Sequence, residues 1–279
     1  MPSVLILSSH VAASRVGGGA QALALARLGV EPILVPTVLF GRHPGWGPPG
    51  GGPVAAETMQ AMVDAIAYQG LFAELDAVIC GYFARPEQVT IAARTLDFVR
   101  AANPRARLVV DPIMGDAGKG LYVAQAVAEA VTEVLVPRAD LVTPNAWELS
   151  RLSDLPVFDA ASAVRAARAL GKPVLVSSVE VGPKGASEPE IGVVYADAHE
   201  AALAAHARQA KVPNGTGDLL TLLFAAGLID LLPPKEALAC AVGAVAEAAA
   251  AAAGEKELSV RALPTELARS PRVRVEPLP

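Results

Sequence analysis

The stretch Asn214-Gly215-Thr216-Gly217-Asp218, followed directly by the apolar run Leu219 to Leu228, decides how this chain is read. Two glycines around a threonine let the backbone turn with its NH groups pointing inward, with Gly217 expected at a positive φ. The helix that follows adds partial positive charge at the same point. Gly215, Thr216 and Gly217 therefore read as an anion hole. Asp218 sets a carboxylate beside it, which is unfavourable next to a bound phosphate unless that carboxylate takes a proton from an attacking hydroxyl. A plain helix-capping role for Asp218 is the competing reading. Short glycine motifs recur by chance, so the rest of the chain has to decide between the two.

Outward from this motif, short β-branched or leucine runs alternate with alanine-rich runs, the pattern of repeated βα units around a mostly parallel sheet. Strands are predicted at Val4 to Ser8, Pro32 to Val35, Ala77 to Cys80, Leu108 to Asp111, Leu141 to Thr143, Val174 to Ser177 and Ile191 to Tyr195. Helices are predicted at Ala20 to Leu28, Ala55 to Tyr68, Pro86 to Ala102, Ala124 to Val134, Ala160 to Leu170, Leu219 to Leu228 and Lys235 to Ala252. In such sheets, ligands bind beyond the carboxyl ends of the strands. The residues there are polar or conformationally special: Ser8-Ser9-His10, Gly81-Tyr82, Asp111-Pro112, Thr143-Pro144-Asn145 and Ser177-Ser178. No repeat or linker divides the chain, so residues 1–279 read as one domain. The Gly/Pro-rich segment Gly41 to Pro53, with His43 and Trp46, reads as a mobile lid within it, and Gly50-Gly51-Gly52 as its most flexible part.

Composition narrows the function. Twenty-three Lys and Arg against 28 Asp and Glu give a net charge of −5 without a basic cluster, which argues against nucleic-acid binding. Cys80 and Cys240 lie in apolar runs and read as reduced, buried thiols of a cytoplasmic protein rather than a disulfide. Mean hydropathy is +0.41, yet the apolar runs fall short of the roughly 18 residues of a membrane span. No basic, apolar leader opens the chain, so no signal peptide is expected.

Two further segments carry chemistry. Asp111-Pro112-Ile113-Met114-Gly115-Asp116, with Gly118-Lys119-Gly120 beyond, sets two carboxylates at a strand end, suited either to holding Mg²⁺ through water or to capping a turn. Thr143-Pro144-Asn145-Ala146-Trp147-Glu148 reads either as a helix cap with an acid in the first turn, or as Asn145 and Glu148 reaching nucleotide phosphates and a metal. The four histidines show no zinc spacing. His10 at a strand end and His43 on the loop are positioned to meet a heteroaromatic ligand, a surface or turn role being as good a reading of either.

These residues together resemble the pyridoxal kinase family of the ribokinase-like superfamily. The similarity runs along nearly the whole chain through Ser9-His10-Val11-Ala12, Pro36-Thr37-Val38, Gly81-Tyr82, Asp111-Pro112-Ile113-Met114-Gly115-Asp116, Gly120-Leu121-Tyr122-Val123, Thr143-Pro144-Asn145, Glu148-Leu149 and Gly215-Thr216-Gly217-Asp218. The resemblance implies a three-layer α/β/α fold, usually homodimeric, and ATP-dependent phosphorylation of the 5′-hydroxymethyl group of pyridoxal, extending to pyridoxine or pyridoxamine. It makes Asp218 the base, and Ser9, Thr37 and Tyr82 contacts to the pyridine ring; His43, from its place on the loop, is the residue that would close over it. Asp111, Thr143, Asn145, Ser177, Thr216 and Gly217 fall beside the nucleotide, and Asp116 and Glu148 beside Mg²⁺. A monovalent cation such as K⁺ belongs to the same expectation. Val38, Ala13-Ser14-Arg15 and Ser177 depart from the family's usual residues, leaving vitamer preference open. The alternatives are a hydroxymethylpyrimidine or sugar kinase of the same fold, and a vitamer-binding protein without turnover. A dinucleotide-binding dehydrogenase is disfavoured, because Gly17-Gly18-Gly19-Ala20 lacks the glycine spacing and the acid that such a site needs.

Overall fold

The computed structural model describes residues 1–182, 190–209, 211–258 and 273–279. In chain order the elements are β1 (Ser3–Val11), α1 (Gly17–Arg27), β2 (Glu31–Phe40), β3 (Gly51–Pro53), α2 (Ala56–Tyr68), β4 (Ala77–Cys80), α3 (Pro86–Ala102), β5 (Arg107–Val110), β6 (Gly115–Asp116), β7 (Gly120–Leu121), α4 (Gln125–Ala130), β8 (Leu141–Val142), α5 (Ala146–Ser153), α6 (Ala160–Ala169), β9 (Val174–Val181), β10 (Glu190–Ala196), β11 (Ala201–Ala207), α7 (Thr216–Ile229), α8 (Pro234–Ala251) and β12 (Val275–Leu278). Ten strands form one sheet in the order β12-β11-β10-β9-β8-β5-β4-β1-β2-β3, and β6 and β7 form a separate hairpin. The strands from β2 through β9 in that order pair in parallel, while β3, β10, β11 and β12 are antiparallel to their neighbours.

Period-two alternation builds the three layers. Along β1, Val4 and Ile6 point into the cluster with α1, α7 and α8, and Leu5 and Leu7 into the opposite one with α2 and α3. Both faces are covered, which is why these strands read as continuous apolar runs. Helix α3 shows the helical counterpart: Pro86 opens it, and Val89, Ala92, Ala93, Leu96 and Val99 form one buried stripe. Helix α7 is buried almost all round because it lies between α1, α8 and the sheet. Cys80 and Cys240 are both free and buried, and among the described residues no helix is long and apolar enough to cross a membrane.

Several strands outrun their sequence-based bounds, which changes what counts as a strand end. Ser8-Ser9-His10 lies inside β1, where the pairing with β2 shifts register between Ser8 and His10, and Ser177-Ser178 lies inside β9, with Ser178 at φ 60°. These irregularities redirect side chains within the strands. Ala201–Ala207 has a helix-forming composition but is a strand between β10 and β12, and the eight-residue α5 follows Asn145, as the helix-cap reading of that residue requires.

Candidate active site

Two helix N-termini converge on one carboxylate. Helix α7 begins after Gly215, whose φ of 97° is left-handed and where a Cβ would stand 2.5 Å from the Arg15 carbonyl oxygen. Gly215 therefore has to be glycine. Gly217 corrects the sequence reading: its φ is not positive, and a Cβ there would meet nothing within 4 Å. The open space beside it is the cleft itself. The first NH groups of α7 have no acceptor within the helix and are left for an anion.

Asp218 stands in this first turn, and its Oδ2 accepts a 2.8 Å hydrogen bond from the NH of Gly17, the first residue of α1. Helix α1 has no side-chain cap and no acid in its own first turn, so Asp218 serves its positive end across space. The residue is half-buried, but its Oδ1 is shut off from water and has no hydrogen-bond partner. Burial raises the carboxyl pKa to about 6, against the opposing pull of the Gly17 NH. An ionised, unpartnered oxygen beside an anion hole is suited to accepting a proton.

Asp218 and Gly217 border a cleft of about 160 Å³ that also touches Asp111, Ile113, Tyr122, Thr143, Asn145, Glu148, Ser177, Leu220 and Thr221. Thr143 donates to the hydroxyl of Thr221 at 2.8 Å, and Thr221 donates to Asp111 Oδ2 at 2.9 Å. Burial, then the charges of Glu148 and Asp218, lift Asp111 well above the usual carboxylate range. Glu148 is 2% exposed and fully engaged: Oε1 accepts from the NH groups of Met114 and Gly115, and Oε2 from Asn145. Asn145 Oδ1 in turn accepts from the Glu148 NH, completing a capping box on α5. Asp116 Oδ1 accepts from the Gly118 and Lys119 NH groups, and Oδ2 from the Tyr122 hydroxyl. The turn and helix-cap readings of both acids thus describe their contacts, so neither offers a bare carboxylate to a metal. Among the described residues, no group of three or more His, Cys, Asp and Glu side chains forms a metal cage.

On the other side of Asp218, a Cβ on Gly17 would fall 1.9 Å from Ser9 Oγ, which brings Ser9 close to the Asp218 carboxylate. Ser8 accepts from the Tyr82 NH at 3.1 Å, and Thr37, wholly buried, donates its hydroxyl to the Tyr82 carbonyl at 2.6 Å. Ser9, Thr37 and Tyr82 therefore share one corner, separate from the cleft of Asp111 and Glu148, and the two meet at Asp218.

The sequence model of the phosphomethylpyrimidine kinase family matches residues 20–261. A pyridoxal kinase PdxY of Leifsonia xyli subsp. xyli is 33% identical over 261 residues, 91% of this chain and 92% of that protein. The chain belongs to the pyridoxal kinase family. Another member, the pyridoxine/pyridoxal/pyridoxamine kinase of Bordetella avium, is 32% identical over 228 residues, 81% of this chain and 77% of that one. The solved pyridoxal kinase from Leishmania donovani in complex with ADP and pyridoxamine matches with a TM-score of 0.88 at 27% identity, covering 99% of each chain.

For this kinase, the lid differs from its sequence reading. Gly51 and Gly52 pair with Phe40 and Leu39 in an antiparallel hairpin, and a Cβ on Gly51 would stand 2.0 Å from the Leu39 carbonyl oxygen. The triple glycine is thus partly a packed edge rather than a slack hinge. His43 accepts from the Gly45 NH through Nδ1, its ring lies 5.4 Å from that of Trp46, and Lys256 Nζ sits 5.4 Å from the Trp46 ring. His43 lies outside the cleft of Asp218. Sequence reasoning missed Thr221, although a lone threonine in an apolar helix three residues after Asp218 was a usable signal. It also missed Glu257, which accepts from the Ser14 hydroxyl and, at 2.9 Å, from the Arg15 NH. Nothing local in the sequence announced that contact.

Proposed function

We propose that this protein transfers the γ-phosphoryl group of ATP to the 5′-hydroxymethyl group of pyridoxal, and to pyridoxine and pyridoxamine as further substrates. The observation that carries the reading is the Asp218 carboxylate, held between the N-termini of α1 and α7 with Oδ1 buried and unpartnered. Asp218 takes the hydroxyl proton as the new O–P bond forms. The Gly215-Thr216-Gly217 backbone and the α7 dipole stabilise the charge spread over the transferred group. Ser9, Thr37 and Tyr82 hold the vitamer, and His43 approaches from the 41–53 loop. Asp111, Thr143, Asn145 and Ser177 line the nucleotide side.

Mg²⁺ arriving with ATP would neutralise phosphate charge. The residues fit it: Glu148 and Asp218 both repel Asp111 in a single cleft, a charge balance that a cation relieves. With the oxygens of Glu148 and Asp116 already engaged, both would act through water. The homodimer implied by the resemblance and the cytoplasmic location expected from composition belong to the same reading, and light scattering tests the first. The deciding experiment is coupled ADP release with a panel of B6 vitamers, hydroxymethylpyrimidine and sugars. Turnover confined to vitamers supports the proposal. A clear preference for hydroxymethylpyrimidine would instead favour the second reading, suggested by the description of the matching family model.

A further inference from the structure

We infer that Gln88 is a positioning residue that fixes the vitamer corner and the root of the 41–53 loop as one unit. This rests on the reading above that Ser9, Thr37 and Tyr82 hold the vitamer. Gln88 is the third residue of α3, a first-turn position where a glutamine ordinarily meets water, yet it is wholly buried. Its side-chain amide makes three hydrogen bonds. Nε2 donates to the Thr37 carbonyl at 2.7 Å and to the Val54 carbonyl at 2.8 Å, and Oε1 accepts from the Ala84 NH at 3.0 Å. The orientation of the amide is forced, because reversing it would set Oε1 against two carbonyls and the NH₂ against an NH.

The three partners belong to three segments: Thr37 and Val54 lie 51 and 34 residues from Gln88 along the chain, and Ala84 lies on the loop just before α3. Thr37 lies in β2 beside the register shift opposite Ser8–His10. Val54 directly follows β3, where the loop excursion returns to the body. Ala84 belongs to the loop from β4 to α3 that also carries Tyr82. Further bonds close the unit: the Val54 NH donates to the Thr37 carbonyl at 2.9 Å, Thr37 Oγ1 to the Tyr82 carbonyl, and the Tyr82 NH to Ser8 Oγ. Among the described residues, Gln88 makes its side-chain hydrogen bonds to Thr37, Val54 and Ala84, none of which lines the cleft of Asp111 and Glu148.

Gln88→Met tests this, since it keeps length and approximate volume while removing all three bonds. Gln88→Glu keeps the acceptor for Ala84 but turns a carboxylate toward two carbonyls. With pyridoxal varied at saturating MgATP, and MgATP varied at saturating pyridoxal, Gln88→Met should raise KM for pyridoxal about tenfold or more, with Gln88→Glu worse at pH 8. KM for MgATP should stay within about twofold. A purely structural role would lower Tm and the active fraction without separating the two KM values. A folded Gln88→Met with KM for pyridoxal within about twofold of wild type, or with both KM values raised equally, overturns the inference. Hydrogen exchange on the wild-type protein needs no variant to fold: saturating pyridoxal alone should slow exchange at residues 53–55 and 82–85 together, and unchanged exchange there overturns the inference equally. Absence of wild-type turnover on every vitamer would sink both this inference and the proposed function. Wild-type turnover with unaltered Gln88→Met kinetics sinks only the role of Gln88.

Discussion

Replacing Asp218 by asparagine should make the protein more stable and almost inactive, with different pH dependences for the two effects. The folded protein holds the Asp218 proton with a pKa of about 6, because burial outweighs the Gly17 NH. In an unfolded chain the value is about 3.9. Folding therefore favours the protonated form. The contribution of Asp218 to stability is fully present below about pH 4, where both states are protonated, and is lost as pH rises through about 6. A shift of about two units corresponds to roughly 3 kcal/mol as an upper bound. Solvent reaching the half-buried residue, and the amide hydrogens that asparagine would direct to a position without an acceptor, reduce this to about 1–1.5 kcal/mol at pH 8. That is about 2–5 °C in Tm, and the gain should vanish near pH 4. Calorimetry of both proteins without ligands, from pH 4 to 8, measures it. Turnover should fall roughly 10²-fold or more with ATP binding nearly intact. An asparagine variant less stable than wild type at pH 8, or a stability difference that ignores pH, refutes the buried-charge argument. Near-normal turnover refutes the assignment of the base.

The two motif glycines should fail differently. Gly215→Ala, strained at φ 97° and abutting Arg15, should cost about 2 kcal/mol or more in denaturant unfolding, whereas Gly217→Val should fold to within about 1 kcal/mol of wild type yet weaken ATP binding at least about tenfold by calorimetry. Thr221→Val should raise KM for MgATP about tenfold by leaving Asp111 and Thr143 without their shared hydroxyl, and Thr221→Ser should restore it. Gly51→Ala should disrupt the hairpin and lower turnover, while Gly52→Ala, with open space around it, should leave kinetics unchanged. In a Trp147→Phe background, Trp46 emission should shift when pyridoxine and a non-hydrolysable ATP analogue bind together, and constant emission at saturation would make the 41–53 segment a passive loop.

Apolar periodicity made the parallel sheet and most helices legible, because side chains that alternate between two covered faces must themselves be apolar. The glycine-flanked start of α7 was legible for a related reason, since few residues tolerate a left-handed helix entry, but the left-handed residue is Gly215 and not Gly217. No element was legible at Ala201–Ala207, where pairing on both edges makes a strand of a helix-forming composition. The reading of the triple glycine as slack failed at Gly51, where glycine answers a close backbone approach.

The sequence by itself determined the layers, the glycine-flanked start of α7 and the list of polar residues near the strand ends, all consequences of local spacing. The tertiary structure alone decided what each polar group does. Asp218 has one oxygen held and the other bare because α1, some two hundred residues away, brings Gly17 to it, and the proposed base role rests on that arrangement. Glu148 and Asp116 become fully engaged acceptors through the backbone that folds around them. Thr221 and Gln88 acquire partners that no local window contains. Hydrogen bonds act over about 3 Å in space, whatever the separation along the chain, so the role of a buried polar side chain is fixed only once distant segments have packed against it.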